Sequence, residues 1–147
     1  MPTASVNSFR VYLHWVYTGE IGLALIEGHD VRECDVAYVL GDALMDAKIC
    51  NMLINAFSKL CVAQNVVPNY TDIKFVYDNT PDQSKLRKLC VDMIVGCFSS
   101  ETFSQHMSSY DTEFVIDLAK EFARRNKPFP LAKLVEKQSE YHELEGN

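Results

Sequence analysis

Apolar side chains recur every three or four residues along most of the chain, which is the pattern of amphipathic helices. The clearest repeats predict helices over about 9–18, from behind Asp30 to about Leu44, from Asp46 to about Gln64, behind Thr71, from Thr80 to about Cys97 and over about 112–126. The expected fold is therefore mainly α, an irregular bundle of about six to eight helices. At most one short extended segment is expected, in the apolar stretch 20–28, which equally fits a turn.

Polar residues and glycines mark the ends of the predicted helices. Gly19 stands where a left-handed C-terminal cap is expected, and Asp30 and Asp46 stand where N-caps are expected. Thr71 is expected to cap a short helix. Residues 80–83, Thr-Pro-Asp-Gln, are typical of a capping box with proline at the first helical position.

Three features indicate how these helices are arranged. A glycine inside a helix costs about 1 kcal/mol relative to alanine, so Gly41 predicts a close crossing with a neighbouring helix. The third helix has only a narrow polar stripe, which indicates a central position. The sequence Val-Val-Pro-Asn at 66–69 breaks the pattern and predicts a boundary between a unit at 1–67 and a helical extension at 68–147.

Composition and charge exclude several classes of partner. The 147 residues are 48% hydrophobic and carry 14 Lys and Arg against 20 Asp and Glu, a net charge of −6. Nucleic-acid binders normally present a basic face to phosphate, so neither nucleic acid nor an anionic membrane surface is expected as a partner. No apolar run approaches the ~20 residues that span a bilayer, and residues 1–8 lack the features of a signal peptide.

The five cysteines, at positions 34, 50, 61, 90 and 97, are odd in number and form no C-x-x-C motif. Each lies in an apolar pattern, so buried, reduced thiols are expected. That usage is typical of an intracellular protein, cytoplasmic or nuclear. Redox sensing by one of these thiols is the alternative interpretation.

No motif of known chemistry stands out. None of the four histidines has a second ligand at zinc-site spacing, and no metal or cofactor is expected. Asp42 and Asp46 lie four residues apart and could form a cation site or an acid–base pair. The simpler interpretation is that Asp42 closes one helix while Asp46 caps the next.

Two further clusters have simple structural interpretations beside their functional ones. His106, with Ser108, Ser109 and Asp111, contains the residue types of a catalytic triad, although triads normally converge from distant segments. A polar linker before a helix is the better interpretation. The basic run 124–127 resembles a nuclear address, but cations at a helix C-terminus also complement the helix dipole.

Five segments, in order, resemble BTB/POZ domains, particularly the fungal group. The segment 9–21 resembles the F…Y…W-hydrophobic-Y-T-G motif, and 38–46 resembles the L-Y-x-L-G-D-x-L-x-D helix pair. The segment 51–57 is similar to the N-x-hydrophobic-I-D-x-hydrophobic helix. The segments 76–81 and 84–92 resemble the extension V-Y-x-N-T-P…S-x-L-R-x-L-x-V-D.

The resemblance implies a scaffold or adaptor that binds protein and has no chemistry of its own. It covers the C-terminal helical half of the family's module and its extension, whereas the strands and dimer-forming elements that begin the module have no counterpart. Cullin-type scaffolds are partners of some members, but the hydrophobic-x-Glu motif used for them is also missing. No residue is therefore assigned as a cullin contact or a dimer contact.

The first helix is the predicted interaction surface. Without the sheet of the family, its apolar side chains need another cover, either the C-terminal tail or a second copy of the chain. These side chains are Phe9, Tyr12, Leu13, Trp15 and Val16. The sequence therefore predicts a non-catalytic protein-interaction module that self-associates. The alternative is a small helical enzyme or ligand-binding bundle, with a site at His106, Asp111 or the Asp42–Asp46 pair.

Overall fold

Helices make up most of the chain in a computed structural model that describes residues 6–22, 31–137 and 140. The described helices are α1 (Val6–Thr18), α2 (Arg32–Ala43), α3 (Ala47–Gln64), α4 (Tyr70–Asn79), α5 (Lys85–Cys97), α6 (Ser100–His106), α7 (Thr112–Arg125) and α8 (Ala132–Glu136). A 3-10 turn, Met107–Ser109, follows α6. These ranges contain eight α-helices and no strand, which confirms the predicted mainly-α bundle. Among them, no helix has the length and apolar character needed to cross a membrane.

Two of the predicted caps are confirmed. The Asp46 carboxylate accepts hydrogen bonds from the backbone N–H groups of Lys48 and Ile49, at 3.1 and 3.2 Å, at the start of α3. Gly19 follows α1 in the left-handed region, with φ of 70°. Its N–H donates to the carbonyl of Trp15 at 2.8 Å. Asp30 lies outside the described residues.

The other two predicted caps are wrong. Asn69, not Thr71, caps α4: its side chain accepts from the N–H groups of Thr71 and Asp72, at 2.8 and 3.1 Å. Asp72 in turn accepts from the Asn69 N–H at 3.2 Å, which completes a capping box. An N-cap has extended backbone. Asn69 has that conformation, with ψ of 174°, whereas Thr71 is already within the helix.

The helix predicted to start at Thr80 begins four residues later, with Ser84 as its N-cap. The Ser84 hydroxyl accepts from the Leu86 N–H at 3.2 Å. Thr80 instead belongs to the end of α4, where its hydroxyl donates to the Val76 carbonyl at 2.6 Å. Because that hydroxyl serves the preceding helix, residues 80–83 form a turn and not a capping box.

One cluster of buried side chains contains residues of α1 to α5 and α7. Its most deeply buried members are Val11, Cys34, Ala37, Ile49, Leu53, Phe57, Ile73, Val76, Leu86, Cys90, Ile94, Phe114 and Leu118. The cluster includes residues from both sides of position 67. The division into units at 1–67 and 68–147 stays a prediction.

The close crossing predicted from Gly41 is present between α2 and α3. A Cβ at residue 41 would lie 2.7 Å from Cγ2 of Ile49 and 3.2 Å from Sγ of Cys50. The two helices are joined by a tight turn in which Met45 adopts a φ of 55°. The crossing leaves no room for a side chain at position 41, which explains why a glycine stands there.

Arg87 on α5 forms a buried network that the sequence pattern does not predict. The residue is only 5% exposed, and its guanidinium donates to the Thr80 hydroxyl at 3.1 Å, to the Tyr77 carbonyl at 2.8 Å and to the Thr80 carbonyl. It also pairs with Glu113 of α7 and lies 4.3 Å from the centroid of the Tyr77 ring. Arg87 therefore joins the end of α4 to α5 and α7.

Candidate functional site

The inner face of α1 is held against the rest of the bundle. Val11 and Ser8 are fully buried, and the Trp15 indole donates to the Asp46 carboxylate at 3.1 Å. Asn7 lies within 3.4 Å of the Glu33 carboxylate on α2. These contacts fix the rotation of α1 about its axis, and so decide which of its other side chains face solvent.

The opposite face of α1 is apolar and exposed. It carries a set of side chains that are between 37% and 83% exposed, here called the outer stripe: Val6, Phe9, Leu13, Val16 and Tyr17. At about 100° of turn per residue, these positions fall within about 100° of arc on the helix. Single exposed apolar residues are ordinary on a protein surface, whereas a contiguous set on one helix is typical of an interaction surface.

The structure divides the five residues predicted for this surface. Phe9, Leu13 and Val16 lie on the outer stripe, whereas Tyr12 and Trp15 are half-buried and pack against the core cluster. The apolar period of α1 is compatible with either face being buried, because apolar residues cover more than half of its circumference. Val6 and Tyr17 were not predicted, although Tyr17 lies one turn beyond Leu13.

The charges around the outer stripe differ from those of the whole chain. Residues 6–18 include Arg10 and His14 but no aspartate or glutamate, in a chain with a net charge of −6. Arg10 is exposed. Arg10 is therefore the charged side chain that α1 itself places beside the outer stripe, while the Glu33 carboxylate of α2 lies next to Asn7.

Asp42 and Asp46 line the same shallow cavity, of about 350 Å³, beside Tyr38 and Cys50. The Asp46 carboxylate is already engaged by the first turn of α3 and by Trp15. Hydrogen bonds from the Ile49 N–H and the Trp15 indole hold its pKa below the ordinary value. A carboxylate that caps one helix and braces another stays ionised, and so is poorly suited to proton transfer at neutral pH.

His106 and Asp111 have separate partners. The Asp111 carboxylate pairs with the Lys74 ammonium at 3.2 Å, while the His106 ring lies 6.1 Å from the Phe98 ring. Within residues 6–22, 31–137 and 140, no three His, Cys, Asp or Glu side chains are grouped closely enough to hold a metal ion. The described contacts of Asp111 and His106 are thus an ion pair with Lys74 and a ring contact with Phe98, and both are contacts between parts of the fold.

The cysteines divide into four buried thiols and one exposed thiol, all five being within the described ranges. Burial raises the pKa of Cys34 to about 12 and the pKa of both Cys50 and Cys61 to about 11. Burial also raises the pKa of Cys90 well above the usual range. The expectation of burial is wrong for Cys97, at the end of α5, which is exposed. The apolar period of α5 continues to Cys97, but the bundle no longer covers the helix there.

Alkylation is expected to distinguish these thiols. Maleimide at neutral pH should modify Cys97 alone in the native chain and all five cysteines in denaturant, because buried thiols with raised pKa values react slowly. Mass spectrometry of the intact chain would count the adducts, and the Cys97→Ser variant is the control that should take up none. A second adduct at native equilibrium would contradict the described burial.

The basic run after α7 is paired with carboxylates. Arg124 and Arg125 both bind Glu121, at 2.6 and 2.7 Å, and Arg125 also reaches Asp92 at 3.1 Å. These arginines lower the pKa of Glu121 to about 2. A neighbouring cleft of about 610 Å³ between α5 and α7 is lined by charges of both signs. Neither feature presents a surface of one charge, as phosphate recognition would need.

Comparison with known proteins adds no relative to this description. Neither protein-family models, nor curated proteins, nor solved structures gave a match to the chain.

Proposed function

We propose that this chain is a non-catalytic protein-interaction module that self-associates through the outer stripe of α1. The observation that carries the proposal is the exposure of five apolar side chains on one face of a helix whose opposite face is fixed to the core. Covering such a face removes apolar surface from water, which stabilises the contact by about 25 cal/mol for each Å² buried. Hydrophobic association of this kind needs neither a cofactor nor a metal.

The sequence motifs support the same function. The five BTB/POZ-like segments fall within α1 to α5 and their connections, and members of that family act as scaffolds and adaptors. The five cysteines, which form no C-x-x-C motif and of which four are buried, favour a cytoplasmic or nuclear location. A partner other than a second copy would be a protein, and a cullin-type scaffold is the family's example.

The enzyme alternative has less support. Two of the groups named for it have structural partners: Asp46 with Trp15 and the start of α3, and Asp111 with Lys74. General acid–base catalysis needs a titratable group within reach of a substrate proton. The described contacts of these two carboxylates instead stabilise helices and their packing.

Introducing charge into the outer stripe is expected to abolish self-association. The double variant Leu13→Glu/Val16→Glu should weaken the dimer at least about tenfold, because two carboxylates would have to be desolvated at the centre of the contact. Sedimentation velocity over a range of chain concentrations would measure the shift. Ile116→Glu on α7 is a matched control, since Ile116 is likewise exposed, and should associate as the unmodified chain does.

Two results would contradict the proposal. One is an unmodified chain that sediments as a monomer at several hundred micromolar. The other is a double variant that associates as strongly as the unmodified chain. Far-ultraviolet circular dichroism of each variant would verify that the helices remain.

A further inference from the structure

The segment that follows α7 presents a second exposed apolar surface. Phe129, Leu131 and Val135 are between 56% and 79% exposed, and no residue of α8 is buried. Residues 129–137, here called the arm, therefore contain an amphipathic stretch that the bundle of its own chain does not cover. Such a stretch becomes stable when its apolar side chains find an apolar surface.

The charges beyond the arm complement those beside the outer stripe. Residues 138–147, which follow the arm, contain three glutamates and no lysine or arginine, whereas residues 6–18 contain Arg10 and no carboxylate. An apolar segment leading into an acidic stretch therefore matches an apolar helix whose own charged side chain is Arg10. Complementary charge of this kind orients a contact and raises the rate of association.

We propose that the outer stripe of α1 in one copy is covered by the arm of a second copy. This inference rests on the proposed self-association and names the segment that performs it. In a two-fold dimer, each copy would give its arm and receive the partner's arm, so that two identical contacts form. Leu131 and Val135 would lie against Leu13 and Val16.

Direct pairing of α1 with α1 of a second copy is less favourable. A symmetric pair of these helices would place two copies of Arg10 around one contact, with no carboxylate from residues 6–18 to neutralise them. Like charges across a contact oppose association. Covering by the arm of the same chain is disfavoured by the structure of the single chain, in which both surfaces are exposed.

The first test places charge on the arm. In the full chain, Leu131→Glu/Val135→Glu should weaken self-association at least about tenfold by sedimentation velocity, as much as Leu13→Glu/Val16→Glu does. Because no residue of α8 is buried, the unfolding transition of the arm variant at low concentration should remain within about 2 °C of that of the unmodified chain. Ile116→Glu is again the matched control.

The second test mixes the two double variants. Each variant alone should associate only weakly, but together they restore one intact contact, between the arm of the stripe variant and the stripe of the arm variant. The mixture should form a heterodimer that is weaker than the unmodified dimer and stronger than either variant alone. Labelling one variant at Cys97 with a fluorophore would allow the heterodimer to be followed by fluorescence-detected sedimentation.

The third test uses charge. Arg10→Glu should make the dimer about threefold weaker than that of the unmodified chain at 50 mM salt. The difference should be smaller at 500 mM salt, because exposed charges are screened. An Arg10→Glu dimer that is as strong as the unmodified dimer at 50 mM salt would remove the charge argument for the arm.

The remaining outcomes separate the two proposals. If the arm variant associates like the unmodified chain while the stripe variant does not, the arm is not the occupant, and self-association through α1 stands. If the mixture shows no heterodimer, exchange of arms is refuted. If the stripe variant associates as strongly as the unmodified chain, or if the unmodified chain is a monomer, both proposals fail.

Discussion

Replacing Arg87 by leucine is expected to lower the free energy of unfolding by about 3–5 kcal/mol. The guanidinium satisfies the carbonyls of Tyr77 and Thr80, and its removal would leave these acceptors buried beside an apolar side chain. Glu113 would also lose its partner on α5. Loss of one member of a buried network costs more than the net contribution of its hydrogen bonds, because the remaining groups stay desolvated.

Urea denaturation monitored by circular dichroism would measure this effect. Arg125→Leu is the matched control: Arg125 also bridges two elements, to Glu121 and Asp92, but it is much more exposed. Its loss should cost about 1 kcal/mol or less. Arg87→Lys should fall between the two, since an ammonium keeps the charge but cannot reach all the acceptors of the guanidinium. Equal effects of Arg87→Leu and Arg125→Leu would show that the Arg87 network does not stabilise the fold.

Truncating Phe114 to alanine is expected to cost about 3–5 kcal/mol as well. Phe114 is completely buried in α7, with its ring centroid 5.5 Å from that of Tyr77 and 4.9 Å from that of Tyr110. The variant would lose both aromatic contacts and leave a cavity where α4 and α7 meet. Tyr77 also donates to Asp117 of α7 at 2.9 Å, so the cavity would adjoin a buried hydroxyl.

The control for Phe114 lies two residues away. Ile116 is on the same helix but about half exposed, and Ile116→Ala should change the free energy of unfolding by less than about 1 kcal/mol. Both variants are best compared by thermal and urea unfolding at low chain concentration, where association does not contribute. A Phe114→Ala variant that lost less than about 1 kcal/mol would place this residue outside the core.

Most helices could be predicted because their apolar period is strong, but the first residues of α4 and α5 could not. The start of α4 depends on which of two polar residues has extended backbone, and Asn69 has it while Thr71 does not. The start of α5 depends on the Thr80 hydroxyl, which bonds back to Val76 of the previous helix. Both choices are made by backbone conformation between elements, which a local sequence motif does not specify.

The pattern predicts an apolar surface on α1 but does not separate its exposed side chains, Phe9, Leu13 and Val16, from Tyr12 and Trp15, which pack against the core. A helix that is apolar around most of its circumference leaves its rotation undetermined by period alone. The rotation is set by contacts with distant residues, above all the hydrogen bond from Trp15 to Asp46, 31 positions along the chain. For the same reason the sequence pattern does not predict the Arg87 network, since the acceptors of Arg87 lie at the end of another helix.

The orientation of the α1 surface depends on a distant position, Gly41, which has no side chain. α2 packs against both α1 and α3, and its approach to α3 is limited by a single Cβ position that would meet Ile49. The bulk of residue 41 therefore sets how far α2 stands from α3, while the bond from Trp15 ties α1 to the start of α3. A larger residue there would move α2 relative to α3 and strain the packing of α1, α2 and α3. The orientation of the outer stripe would then change, although none of its own side chains had been altered.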